Sequence, residues 1–243
     1  MQWESFYRIV NDRRTIVIAP IDIERQPDRP FLCRMLVRLL IEESASADPI
    51  SLHEDIEEVL VPIIRDLRGC YVGSLTADAT REYFAYVPEP DQASAAMEAA
   101  GDRLAPHELL YRIDHDPQWL TFHELLEPTD SERQWIMDRS AVALLRDKGD
   151  PLTVPRRITH LVSFYRLEDR DAFLTAILHL GEARKLPPDD SQPRFGVELV
   201  THSPATLQDI SASTSVLRET AELHDGEYGG WESQVIATSS ADL

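Results

Sequence analysis

The fold is decided by residues 225–235, which read Asp225-Gly226-Glu227-Tyr228-Gly229-Gly230-Trp231-Glu232-Ser233-Gln234-Val235. Gly226 follows a helical pattern and suits the left-handed backbone that ends many helices. The residues from Trp231 to Ile236 predict a final strand with Trp231, Ser233 and Val235 on one face. The stretch therefore closes an α+β segment whose other elements lie upstream.

Upstream of this stretch, the sequence alternates between the periods of a strand and a helix. Residues that are apolar, with one histidine among them, recur at every second position as in a strand. Apolar residues then recur at helical spacing. They are Ile158, His160, Val162 and Phe164, followed by Phe173, Ala176, Ile177 and Leu180 before Gly181. Further strands are expected at residues 182–186 and 195–199, and a helix from Ser203-Pro204 to about His224. The order β-α-β-β-α-β predicts a ferredoxin-like fold, an antiparallel sheet with both helices on one face.

The N-terminal half repeats this plan of elements. Its pattern predicts strands at residues 15–20, 31–41, 71–76, 81–87 and 108–114, and helices over 56–67 and 91–100. Ser51 and Glu54 have capping-box spacing, and Pro62 predicts a kink because proline removes one backbone donor from a helix. The predicted fold class is α+β, with two ferredoxin-like α/β sandwich domains joined by a linker helix.

The linker is expected between two proline-marked boundaries. Thr129 and Glu132 have capping-box spacing, and Gly149 closes a helical pattern over about residues 131–147. The predicted domains are residues 1–128 and 152–243, with residues 129–151 as the linker helix.

Charge narrows the classes of partner. The 243 residues carry 43 Asp plus Glu against 24 Lys plus Arg, a formal net charge of −19. A protein that binds a phosphate backbone needs a cationic surface, so direct nucleic-acid binding is not expected. The excess of acids is typical of a solvated surface, and its functional alternative is steering towards a basic partner. No membrane span or secretory leader is expected, and Cys33 and Cys70 are expected to be buried free thiols of a cytoplasmic protein.

No residue pattern predicts catalysis, a metal or a cofactor. His115, Asp116, His123 and Glu124 are close in sequence, but their spacing fits no common zinc pattern, so we interpret them as polar residues around a packed Trp119. Neighbouring carboxylates point to different faces and are interpreted as solvated charges. His160 lies on an apolar strand face, where a hydrogen-bonded core histidine is more common than a ligand.

The candidate partner-binding residues are Glu227, Tyr228, Trp231 and Glu232. The glycines between the two aromatic residues allow backbone conformations that other residues avoid. Two interpretations stay open at this point. The aromatic rings either close the end of the sheet or form an exposed patch in which Trp231 anchors a partner.

Residues from about 155 to 237 resemble the regulator of ribonuclease E activity B family. The likeness rests on the Gly-x-Tyr-x-Gly-Trp pattern at 226–231 and on the opening strand Arg157-Ile158-Thr159-His160-Leu161-Val162-Ser163-Phe164-Tyr165. The resemblance implies a protein that binds and inhibits endoribonuclease E, or its degradosome, without binding the RNA. Members are typically free-standing, whereas here the segment follows a larger domain.

Residues from about 3 to 127 are similar to the domain of unknown function 695. The likeness is carried by Tyr71-Val72-Gly73-Ser74-Leu75-Thr76, by Arg81-Glu82-Tyr83-Phe84-Ala85-Tyr86-Val87 and by Asp116-Pro117-Gln118-Trp119. This resemblance implies no activity. Together the two resemblances imply a bacterial two-domain cytoplasmic protein.

Two functional hypotheses follow. The first is a non-enzymatic acidic regulator that binds and modulates an RNA-processing enzyme. The alternative is a small-molecule-binding or enzymatic α+β domain in the N-terminal half, suggested by the aromatic strand Tyr83-Phe84-Ala85-Tyr86 on a sheet that could offer an open face. Homodimerisation through exposed sheet faces is compatible with both.

Overall fold

The computed structural model describes residues 2–23, 33–40, 49–78, 80–103, 109–188 and 194–236. The chain forms two compact units, residues 1–132 and 133–243. Each unit has an antiparallel sheet with helices, of six strands in the first and four in the second within the described residues. In the same residues, no helix is both long and apolar enough to cross a membrane. Cys33 is a buried free thiol, as predicted, whereas Cys70 is only half-buried.

The first unit contains a ferredoxin-like core with one addition. Its strands are β1 (Trp3–Val10), β2 (Arg13–Pro20), β3 (Cys33–Leu40), β4 (Cys70–Ala77), β5 (Thr80–Val87) and β6 (Leu109–His115), and its helices are α1 (Pro49–Asp66) and α2 (Pro90–Ala100). The sheet order is β1-β2-β4-β5-β3-β6. The last four strands alternate with α1 and α2 as β-α-β-β-α-β, which confirms the predicted plan. The pair β1–β2 extends this core beside β4 and was not predicted in full.

The added pair β1–β2 is a tight hairpin. Asn11 and Asp12 take φ angles of 50° and 61°, the left-handed backbone that a two-residue turn requires. The eight pairs from Trp3↔Pro20 to Val10↔Arg13 follow without a shift. Sequence analysis found only the second strand, because polar and apolar residues are mixed on both faces of the first.

Helix α1 runs as one element across Pro62, and it begins at Pro49, where the missing amide of a first-turn proline costs little. The side chains of Ser51 and Glu54, and the residues at 31–32, 41 and 108 that were predicted as strand, lie outside the described set.

Both faces of the six-stranded sheet are covered at β5. Tyr83 and Ala85 belong to the core that includes Leu60 of α1 and Met97 of α2. On the opposite face, Tyr86 stacks on Trp119, with ring centroids 4.1 Å apart and an interplanar angle of 5°. All four residues of the strand Tyr83-Phe84-Ala85-Tyr86 are therefore buried rather than set on an open face.

Asp116 holds the segment that carries Trp119. Its carboxylate accepts hydrogen bonds from the Leu120 and Thr121 amides, at 2.8 and 3.0 Å, and from the Tyr86 hydroxyl at 2.8 Å. Burial opposes the charged form, but these donors outweigh it and lower the pKa of Asp116. A helical turn at Phe122–Leu126 follows.

The second unit is ferredoxin-like throughout. Its strands are β7 (Arg156–Phe164), β8 (Glu182–Leu186), β9 (Phe195–Ser203) and β10 (Gly226–Ser233), and its helices are α4 (Leu167–Ile177) and α5 (Leu207–Glu222). The sheet order is β10-β7-β9-β8, as two interlocked β-α-β units require. Two predicted bounds were wrong: α5 begins after an N-cap at Thr206, and β10 begins at Gly226 instead of Trp231.

Helix α3 (Asp130–Asp147) joins the two units in sequence. Its predicted capping box is confirmed, since the Glu132 amide donates to Thr129 Oγ1 at 3.3 Å and the Thr129 amide donates to Glu132 Oε2 at 2.8 Å. Beyond residue 133 the helix buries Val142 and Leu145 against Ile158 and Ile210 in the core of the second unit.

A buried ion pair connects the turn after α3 with the end of β10. Asp150 and Arg156 form a two-pronged pair, with side chains no more than 5% exposed. The Asp150 carboxylate also accepts from the Leu152 amide at 2.8 Å and from the Ile236 amide at 2.7 Å. The hydrogen bonds from Arg156 hold the pKa of Asp150 far below its usual range.

We expect Asp150→Ala to lower the free energy of unfolding by about 3–5 kcal/mol, because it leaves the Arg156 charge buried without its partner. Urea unfolding followed by circular dichroism measures the change. Asp147→Ala is the matched control, since Asp147 is exposed in the preceding helix, and it should change stability by less than about 0.5 kcal/mol. Equal effects of the two substitutions would contradict the assignment.

Candidate functional site

The candidate site lies on β10, the outer strand of the four-stranded sheet. The strand pairs with β7 through Tyr228↔Val162 and Trp231↔His160, with a shift of register between Tyr228 and Gly230. The shift is a β-bulge, in which one additional residue occupies the strand. Gly230 has a φ of +111°, which side chains larger than hydrogen rarely allow. The bulge places Tyr228 and Trp231, three positions apart, on the same core-facing side.

Gly226 is required for space and not for a left-handed turn. The left-handed residue is Asp225, with a φ of 52°, so the sequence-based role of Gly226 as the helix stop was wrong. A Cβ atom on Gly226 would lie 2.2 Å from the ring of Phe164, which is fully buried. The strand can begin at this point only because glycine lets it approach the ring.

Trp231 is half-buried and its indole is bonded inside the domain. The indole Nε1 donates to Asp138 Oδ1 at 3.0 Å, and Asp138 of α3 is fully buried. The same carboxylate accepts from Gln134 Nε2 at 2.8 Å and from Thr214 Oγ1 of α5 at 2.6 Å. Three polar donors thus satisfy the carboxylate, as a buried acid requires. The bonds tie α3 and α5 to β10.

Tyr228 is half-buried and pairs with His160. Its hydroxyl lies 2.8 Å from His160 Nδ1, and the other ring nitrogen of His160 lies 3.2 Å from Thr201 Oγ1. Burial raises the pKa of the Tyr228 hydroxyl and lowers the pKa of His160 to about 4. His160 is therefore neutral at neutral pH and is held by two side chains within the core.

Glu227 and Glu232 point away from the core and are exposed. Glu227 forms an ion pair with Arg194, and Arg194 also contacts the hydroxyl of Tyr165 and lies 4.4 Å from the centre of its ring. Glu232 lines an open groove of about 520 Å³ together with Arg157, Thr159, Arg184 and Glu198. Acidic and basic side chains therefore alternate across this outer face of the sheet.

The groove is organised around Glu198. Arg184 Nη2 donates to Glu198 Oε2 at 2.6 Å, and Arg157 Nη2 lies 4.0 Å from Glu198 Oε1. Sequence analysis did not name Arg184 or Glu198, and it quoted Arg157 only within the strand that carries the family likeness. The period-two pattern of β7 could have indicated Arg157, because it alternates with the apolar row that begins at Ile158.

Of the four predicted site residues, the structure therefore places Glu227 and Glu232 at the surface, and it turns the polar atoms of Tyr228 and Trp231 inward. A role for the two aromatic rings in partner binding stays a prediction.

The other clusters considered in the sequence hold structural contacts. Asp116 caps the Trp119 segment, and His123 Nδ1 lies 2.6 Å from Glu127 Oε2 one helical turn away. Glu57 accepts from the Tyr71 hydroxyl at 2.6 Å. Within the part of the chain that the structure describes, no group of three or more His, Cys, Asp or Glu side chains is placed to hold a metal ion. Of the neighbouring carboxylates interpreted above as solvated charges, Glu42, Glu43, Asp189 and Asp190 lie outside that part.

The two units define a two-domain α+β protein whose second domain has a bulged, aromatic outer strand. Comparison with known families agrees with both expected resemblances: residues 1–127 match the Family of unknown function (DUF695), and residues 135–233 match Regulator of ribonuclease activity B. The first match covers more than half of the chain, so the protein belongs to the DUF695 family, and a regulator of ribonuclease activity B domain follows it. No curated protein matches the chain.

We expect Gly226→Ala to destabilise the second unit by about 1–3 kcal/mol, because the added methyl group would overlap the buried Phe164 ring. Gly229→Ala is the matched control on the same strand, since its Cβ would meet its nearest neighbour at an ordinary 3.4 Å. Thermal unfolding of the two variants measures the difference. A larger loss for Gly229→Ala would contradict this explanation of the signature glycine.

We expect acid to destabilise the protein through His160. The pKa of His160 falls from 6.5 to about 4 on folding, so the unfolded chain binds more protons between these pH values. Stability should fall by about 1.4 kcal/mol per pH unit across this window. His160→Gln keeps polar atoms for Tyr228 and Thr201 and should remove this part of the slope. Urea midpoints from pH 7 to pH 4.5 test it, and parallel slopes for the two proteins would count against the assignment.

Proposed function

We propose that the protein is a non-enzymatic regulator that binds an RNA-processing enzyme such as endoribonuclease E and inhibits it. The observation that carries the proposal is the match of residues 135–233 to Regulator of ribonuclease activity B, whose signature forms the bulged strand β10. We place the protein in the cytoplasm, together with such an enzyme.

The outer side of β10 is the surface that we assign to the partner. Glu227 and Glu232 extend from it into solvent. The formal net charge of −19 favours approach of a basic partner, and electrostatic steering can raise association rates about 10- to 1000-fold. RNA-processing enzymes need basic segments to hold their substrate. An acidic surface that covers such a segment would exclude RNA by competing for the same cations.

The aromatic residues serve this surface in two ways. Their inward contacts, Trp231 with Asp138 and Tyr228 with His160, hold the bulge that sets the spacing of Glu227 and Glu232. Both residues are half-buried, and we assign the part of each ring that remains exposed to apolar contact with the partner. We therefore keep Glu227, Tyr228, Trp231 and Glu232 as the proposed partner-binding set.

Affinity capture from host lysate at low and moderate salt is the first test of the partner. Recovery of endoribonuclease E or its degradosome, decreasing as salt rises, would support the proposal. Recovery of neither would contradict the choice of partner. Purified nuclease and a short RNA substrate then test inhibition, which excess RNA should relieve if the two compete.

We expect the double variant Glu227→Gln/Glu232→Gln to weaken capture of the nuclease about tenfold, mainly through a slower association rate. The matched control is Glu168→Gln/Glu219→Gln, which removes two exposed charges from α4 and α5 of the same unit. Surface plasmon resonance measures both rates. Equal losses for the two double variants would show that only total charge matters, and would remove β10 as the contact.

The aromatic pair is tested separately. Trp231→Phe keeps most of the ring but removes the donor to Asp138, whereas Trp231→Ala removes the ring as well. Circular dichroism shows whether Trp231→Ala remains folded. If the folded variant captures the nuclease as strongly as the natural protein does, Trp231 is not a partner anchor.

A further inference from the structure

Among the residues that the structure describes, strand β1 is an edge of the six-stranded sheet and has β2 as its one neighbouring strand. It is eight residues long and pairs with β2 without any shift of register. Three large side chains on its outer face are exposed: Trp3 by 39%, Tyr7 by 50% and Ile9 by 67%. Ile16, opposite Tyr7 on β2, is 36% exposed and continues the apolar surface. Trp3 stacks on Tyr71 of the same unit at 5.3 Å.

The backbone amide and carbonyl groups of β1 point alternately towards β2 and away from it. The Ile21 amide donates to the Gln2 carbonyl at 3.0 Å, which makes Gln2 and Ile21 a hydrogen-bonded pair. Bonded and non-bonded pairs alternate along an antiparallel ladder, so the even-numbered residues of β1 bond to β2. Trp3, Tyr7 and Ile9 therefore point their amide and carbonyl groups away from the sheet.

The two edge strands of the four-stranded sheet have features that prevent pairing with a strand of another molecule. The bulge at Gly229–Gly230 interrupts β10, and β8 has only five residues, with Glu182, Arg184 and Lys185 among them. Native proteins use bulges, short strands and charges in this way to prevent edge-to-edge association. By contrast, residues 3–10 contain no proline and no bulge. The side chains on the exposed face of this strand are mainly apolar.

We propose that β1 pairs with β1 of a second copy of this chain, antiparallel about a two-fold axis, and so joins two six-stranded sheets. The outward groups belong to odd-numbered residues, so odd residues must face odd residues in the new ladder. Two such registers overlap seven of the eight residues of the strand, and the one centred on Phe6 places Phe6 opposite Phe6 and Trp3 opposite Ile9 of the second copy. Tyr7 then faces Ser5, and the apolar side chains form one continuous strip.

Charge complementarity favours this register and a second copy as the occupant. It places Glu4 opposite Arg8 of the second copy, twice in each dimer, as a two-fold interface requires. Arg8 already forms an ion pair with the Glu132 carboxylate and donates to the Glu127 carbonyl at 2.7 Å, so Glu4 of the second copy would extend this pair into a network. A shift of two residues in either direction loses the pairing of opposite charges. The strand is thus complementary to itself in charge and in apolar surface.

Sedimentation equilibrium at moderate salt tests the proposal, since the Debye length is then about 8 Å and repulsion between two acidic copies is screened. The natural protein should have twice the mass of one chain. Tyr7→Pro should be monomeric, with a dissociation constant at least tenfold higher, because proline removes an amide that points outward and leaves the bonds to β2. Circular dichroism checks that the variant remains folded.

A second variant guards against misfolding of the first. Ile9→Lys places a charge on the apolar strip and should also give the monomer. Leu178→Lys is its matched control, since Leu178 is 70% exposed in the other unit, and it should remain dimeric. If the natural protein is monomeric at high micromolar concentration, the proposal is overturned. The edge of β1 would then be available to pair with a strand of another protein. A dimer that persists in both β1 variants would overturn it as well.

The register has its own test. Facing residues in a bonded pair have Cα atoms about 5.5 Å apart, within the range for a disulfide. A mixture of Trp3→Cys and Ile9→Cys chains should therefore form a cross-linked heterodimer under mild oxidation. The natural protein, which has Cys33 and Cys70, gives the background. Cross-linking no greater than that background, in a mixture that sediments as a dimer, would overturn the register.

Discussion

The second domain depends on one buried carboxylate. Asp138 has no exposed surface and accepts hydrogen bonds from Trp231, Gln134 and Thr214. A buried acid is costly unless polar donors surround it, so the three bonds are effective only when α3, α5 and β10 are all in place. The match to Regulator of ribonuclease activity B begins at residue 135, within α3. The contacts of Asp138 explain why this helix is part of that match.

Packing inside the second domain accounts for the glycines and aromatic residues of the β10 signature without any bound partner. Gly226 leaves space for Phe164, Gly230 allows the bulge, and the bulge turns Tyr228 and Trp231 towards His160 and Asp138. The side chains on either side of this pair, Glu227 and Glu232, face solvent. The outer side of this strand is where we propose the contact with the nuclease.

The two domains share a plan but differ at their edges. Both contain β-α-β-β-α-β with the same strand order. The second domain has a bulge in one outer strand and five residues in the other, whereas the first adds the regular hairpin β1–β2. The first also covers the second face of its sheet, because Trp119 stacks on Tyr86 and Asp116 holds the chain across it. The aromatic strand Tyr83-Phe84-Ala85-Tyr86, which suggested a ligand site, is buried by this packing.

The sequence by itself determined the elements that local periodicity encodes. The alternation at residues 158–164, the helical spacing after it and the capping box at Thr129 gave the ferredoxin-like order and the start of α3, because these signals depend on neighbours in the chain. They did not give β1, whose two faces mix polar and apolar residues, or the left-handed turn at Asp225. Only the tertiary structure decided that Trp231 turns its indole nitrogen inward, since its partner Asp138 lies 93 residues away. Side-chain burial is set by segments that only the folded chain brings together.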